Sequence, residues 1–137
     1  MYHADFGHYK VHFMQNILVF SADVELFLDV EESLKKNQEI QILLFQHSLE
    51  LINHFLSHYS PLVILDIDIL KNEIFEMIQV LKNIHANLKI VLILSQENMP
   101  ICSAALSLGV LSYQIKPLST SNVTEIISSI LHAPVNH

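Results

Sequence analysis

Two carboxylates close the stretch PLVILDIDIL, residues 61 to 70. Asp66 ends the apolar run that begins at Leu62, and Asp68 follows one residue later. A carboxylate at the tip of a buried strand is a candidate nucleophile. Other apolar runs end in complementary groups. Ser95 follows KIVLIL (89–94), Lys116 and Pro117 follow LSYQI (111–115), and Ser21-Ala22-Asp23 follows NILVF (16–20). A carboxylate, a hydroxyl and an ammonium gathered in one place suit phosphoryl chemistry: the carboxylate attacks, and the lysine and hydroxyl hold the new oxygens.

Such a gathering requires the strand ends to lie side by side. The runs NILVF (16–20), IQILLF (40–45), LVILD (62–66) and KIVLIL (89–94) have the unbroken apolar character of strands buried on both faces. LSYQI (111–115) is more mixed and suits an edge. Between them lie stripes of helical period: Val24, Phe27, Val30 and Leu34; Leu49, Ile52, Phe55 and Leu56; Ile74, Met77, Ile78 and Leu81; Ile101, Ala104, Ala105 and Leu108; Val123, Ile126, Ile127 and Ile130. Gly109 is a natural stop for the fourth. Strand and helix alternate five times, which predicts right-handed crossovers and a doubly wound, five-stranded parallel α/β sheet covered on both faces. Open sheets of this kind bind ligands beyond the carboxyl ends of their strands, where Asp66, Asp68, Ser95 and Lys116 fall.

Composition narrows the function classes. A chain of 137 residues, half of them apolar and 15% charged, is one domain with a sizeable core. A net charge of −7 speaks against direct nucleic-acid binding, which needs a basic footprint, and leaves proteins and small molecules as partners. No apolar run reaches the ~18 residues of a membrane span. The single cysteine, Cys102, can form no internal disulfide, so a reduced cytoplasmic setting is the simplest reading. Cys102 lies beside the fourth stripe and reads as a small packed residue. Residues 1–15 read as an N-terminal extension, 16–132 as the domain, and 133–137 as a tail or the start of a linker.

With these pieces together, residues 16–132 resemble a response-regulator receiver domain of two-component signalling. The resemblance rests on LVILDI around Asp66, on FEMI at the following helix, on Ser95, and above all on SLGVLSYQIKPLS, with an aromatic three residues before Lys-Pro. It implies the flavodoxin-like strand order 2-1-3-4-5, a phosphoacceptor at Asp66, a switch hydroxyl at Ser95, a switch aromatic at Tyr113, and a phosphoryl-binding lysine at Lys116 before a cis Pro117. It implies a histidine kinase or phosphotransfer protein as phosphodonor partner. It also implies a dimer or partner surface on the fourth helix, fifth strand and fifth helix. Such a module is not an enzyme beyond its own phosphorylation and slow dephosphorylation.

The chain departs from that pattern where the family holds Mg2+. The acidic pair after the first strand is replaced by Ser21 and Ala22, leaving Asp23 one place late; Asp68 stands where the family usually has a non-acid. Magnesium needs oxygen ligands in a near-octahedral cage, so Asp66 with Asp68 and Asp23 would have to supply it. Gln96 replaces a small residue after Ser95, and Leu70 replaces a proline with no glycine following. Two readings result: an atypical working receiver, or a pseudo-receiver in which Lys116 pairs with Asp66 and the surface binds a partner constitutively. An alternative of another class is a haloacid-dehalogenase-like phosphatase using Asp66 and Asp68. Against it, two strands precede the Asp-x-Asp strand and no acidic pair follows Lys116. His8 and His12, with His3 nearby, and His54 with His58 have spacings seen in metal sites; an extension and a polar helix face account for them.

Overall fold

Alternation along the central strands sets the architecture, because successive side chains of a strand face opposite sides of its sheet. The computed structural model describes residues 14–132, together with the backbone of residues 4–6 and 9–11. The strands β1 (Gln15–Phe20), β2 (Ile40–Phe45), β3 (Leu62–Asp66), β4 (Lys89–Leu94) and β5 (Ser112–Ile115) form one parallel sheet in the order 2-1-3-4-5. Helices α1 (Val24–Lys35), α2 (Ser48–Ser57), α3 (Glu73–Ile84), α4 (Met99–Ala105) and α5 (Thr120–Leu131) connect and follow them.

One face of the sheet, with Leu18, Phe20, Val63, Leu65, Leu92 and Leu94, packs against α2, α3 and α4. The other, with Ile17, Val19, Leu62, Ile64, Val91 and Ile93, packs against α1 and α5. The middle strands are therefore apolar over residues 17–20, 62–65 and 90–94, as a sheet covered on both sides requires. β2 departs from that expectation. It is an edge strand with Gln41 exposed and Leu43 to Phe45 half-buried. The Ile42 amide is not left open at this edge, since Glu31 of α1 accepts from it at 2.6 Å. β5 forms the other edge.

Three helical stripes are rotated from their sequence expectation. In α2, Leu49 and Leu56 are exposed and Leu51 joins Phe55 in the core; α2 covers an edge of the sheet, which shields only a narrow strip of helix. In α1, Val24 is exposed and Leu26 is buried beside Phe27. In α4, Cys102 takes the buried place next to Ala105 and Ala104 faces outward. Asp23 caps α1 by accepting from the Leu26 amide, and Ser119 caps α5 by accepting from Asn122. These are the short polar acceptors that helix N-termini favour. Gly109 ends the turn after α4 at φ +90°, a backbone region glycine adopts without strain.

Within the extension, Ala4–Phe6 and Tyr9–Val11 pair antiparallel as a separate two-stranded sheet, while Gln15 already belongs to β1. His3, His8, His12 and residues 133–137 lie outside the described residues. Among the described residues no helix is long and apolar enough to cross a membrane.

Candidate functional site

The ends of β3, β4 and β5 converge because the three strands are consecutive neighbours in register. Asp66 is the last residue of β3 and the N-cap of a one-turn helix, Ile67–Leu70; its Oδ1 accepts from the Asp68 amide at 2.9 Å. Ser95 follows β4 and opens the tight turn Gln96–Asn98. Lys116 follows β5, its amide donating to the Leu94 carbonyl, and the Lys116–Pro117 peptide is cis, as the resemblance implies.

These groups meet as a closed network. Lys116 Nζ donates to Asp66 Oδ2 at 2.7 Å and lies 3.0 Å from Asp68 Oδ2. Asp68 is held by the loop that follows β4. Its carboxylate accepts from the Ser95 amide at 2.9 and 3.1 Å, from Ser95 Oγ at 2.6 Å, and from Asn98 Nδ2 at 2.6 Å. The one lysine thus bridges two carboxylates, and the hydroxyl of Ser95 is spent on the second.

The two carboxylates titrate in opposite directions. Burial pushes the Asp66 carboxyl above its ordinary value, only partly offset by the Lys116 ammonium. Burial also works against ionised Asp68, but the hydrogen bonds from Ser95, Asn98 and Lys116 outweigh it and hold that carboxyl well below the usual range. Burial disfavours the charged form of Lys116, and its hydrogen bonds to both aspartates more than restore it. Charge-assisted hydrogen bonds of this kind are shorter and stronger than neutral ones.

The donor set does not fit Mg2+. Asp66 is 2% exposed, with one oxygen on Lys116 and the other on a backbone amide. Asp68 is saturated by donors, which a cation would have to displace. Asp23 is tied to the start of α1, and Ser21, nearly fully buried, accepts from the Asp23 amide where the family has an acid. Ser21, Asp23 and Lys116 line a cleft of about 180 Å³, which Asp66 does not. Among the described residues no group of three or more His, Cys, Asp or Glu is placed to hold a metal.

Tyr113 is half-buried in β5 and packs against the core on the α2–α4 side, while Gln96 is exposed. The histidines of α2 are packing groups: His54 stacks on His58 at 4.8 Å and lies 5.7 Å from the ring of Phe45, and burial with the neighbouring His58 lowers its pKa. Asn98 is the member of the candidate site that the sequence reading missed. It is buried, and its only sequence signal is that it follows a strand-ending serine by three residues.

No family model and no curated protein matches the chain in sequence. Solved structures match it in shape. A response regulator from Hahella chejuensis superposes with a TM-score of 0.76 at 17% identity, covering 90% of this chain and 99% of that one. A response regulator from Thermotoga maritima gives 0.74 at 16% identity, covering 88% and 100%. A two-component response regulator from Clostridium difficile gives 0.73 at 22% identity, covering 88% and 98%. Strand order, helix placement and full-length coverage agree: the chain has the flavodoxin-like fold of the response-regulator receiver domains.

Proposed function

We propose that this chain is a receiver-type signalling module that works as a protein-interaction domain without phosphotransfer. The observation that carries this reading is the position of Asp68. Its carboxylate takes up Ser95 Oγ and shares Lys116, the two groups that would otherwise hold a phosphoryl group arriving on Asp66. Asp66 itself is buried and paired. An anionic donor would meet two aspartates that share a single lysine, with no fitting cation site to offset the remaining negative charge, and bringing like charges together at low dielectric is costly. The partner is a protein, and the surface that suits it is the α4–β5–α5 face, where Leu106, Leu111 and Ile115 are exposed apolar residues.

The test is incubation with acetyl phosphate, with and without Mg2+, followed by intact mass measurement beside Asp66→Ala. The expected result is an unchanged mass under every condition. A Mg2+-dependent gain of one phosphoryl group, absent in Asp66→Ala, would establish a working receiver instead.

A further inference from the structure

The donors around Asp68 form an arrangement with a chemistry of its own. A backbone N–H and a hydroxyl from Ser95, an amide N–H from Asn98 and an ammonium from Lys116 converge on two carboxylate oxygens, four donor groups from three residues on two loops. The Asp68 side chain is partly exposed, so the cage opens toward solvent, while Asn98 at its rear is buried. A hydrophobic side chain at this position would leave these donors without an acceptor, which is costly for the buried amide of Asn98. They suit an anion with several acceptor oxygens. Nothing in the strand register needs that anion to be a side chain; the cage would accept a tetrahedral oxyanion in its place.

We infer that Asp68 is the built-in ligand of an oxyanion site, and that its carboxylate holds the Ser95–Asn98 turn and Lys116 in the arrangement that a bound phosphate-class anion would impose. This deepens the proposed function and rests on it: the module needs no phosphoryl group because residue 68 permanently occupies the place where one would be gripped. The turn held by Asp68 leads directly into α4, so the same contact fixes the start of that helix.

The inference predicts that emptying the cage creates an inorganic phosphate site. The full chain and its Asp68→Ala variant are compared by thermal unfolding and by backbone amide NMR. Inorganic phosphate is titrated to about 50 mM, with chloride at matched ionic strength as control. A ligand that binds only the folded state raises its stability in proportion to occupancy. The expected result is no saturable change in the parent chain. In Asp68→Ala, saturable shifts of the Ser95 and Asn98 resonances should appear at millimolar phosphate, together with a rise in Tm. Adding Lys116→Ala should abolish both. A folded Asp68→Ala with no saturable shift would overturn the inference. So would parent and variant binding equally, or an Asp68→Ala chain that fails to fold and that phosphate does not restore, since the carboxylate would then be a structural part no anion replaces. No covalent step is involved, so a negative result here leaves the acetyl phosphate test of the proposed function untouched.

Discussion

Ser95 donates both its hydroxyl and its backbone amide to the carboxylate of Asp68, across 27 residues of sequence and between the ends of two neighbouring strands. Removing the charge while keeping the shape isolates this tie. Asp68→Asn should cost about 1.5–3 kcal/mol at neutral pH, the range for hydrogen bonds to a charged group. The Asp68 carboxyl is held below its unfolded value of about 3.9. Its contribution is therefore fully present above that pH and declines as the pH falls below it toward the folded value. Urea unfolding of parent and variant at pH 7 and pH 3 should show the gap narrowing in acid.

Lys116 and Asp66 should behave asymmetrically. Lys116→Ala strands a buried carboxylate and should cost about 3 kcal/mol. Asp66→Asn removes the buried charge, leaves Lys116 its bond to Asp68, and should change stability by less than about 1 kcal/mol. The double variant should recover most of the lysine loss, a coupling measurable by a double-mutant cycle. Burial raises the folded value of the Asp66 carboxyl, so proton uptake favours the folded state. Without Lys116 that value rises further, so the penalty of Lys116→Ala should shrink as pH falls toward the parent's raised value and level off below it.

Lys71 carries backbone strain. It sits at φ 50°, ψ −130° at the end of the Ile67–Leu70 turn, a conformation ordinarily left to glycine. Lys71→Gly should stabilise the chain by about 1 kcal/mol, net of glycine's greater unfolded-state entropy. Chemical denaturation at constant m-value would check this; a loss of stability would mean that the lysine side chain contributes more than its backbone costs.

Mg2+ should leave the parent chain unaltered. Thermal unfolding with about 10 mM Mg2+ and with EDTA should coincide, because a ligand that does not bind the folded state shifts nothing. A Tm rise specific to Mg2+ would show that Asp66 or Asp68 exchanges its donors for the cation.

Most of the scaffold was legible because parallel strands write themselves as unbroken apolar runs. LVILD and KIVLIL became β3 and β4 with the bounds read from sequence, and the mixed LSYQI contains the edge strand. The helices themselves were legible, but the buried face of three of them was not. Leu49 and Leu51 lie about 200° apart around α2, and which of them is buried depends on how much sheet lies beneath the helix. In the site, strand-end counting brought Asp66, Asp68, Ser95 and Lys116 to one edge. It could not show where Asp68 turns. That direction depends on the helical turn that Asp66 caps and on Asn98 reaching back from a loop, two tertiary facts without a sequence period.

An acyl phosphate is hydrolysed, and its lifetime times a signal; a side-chain carboxylate has no lifetime. On the proposed function, a surface set by Asp68 therefore carries no clock. Its output would follow the amount of chain present and the competition among partners for one permanently formed face, so that control passes from chemistry at the site to synthesis, turnover and stoichiometry.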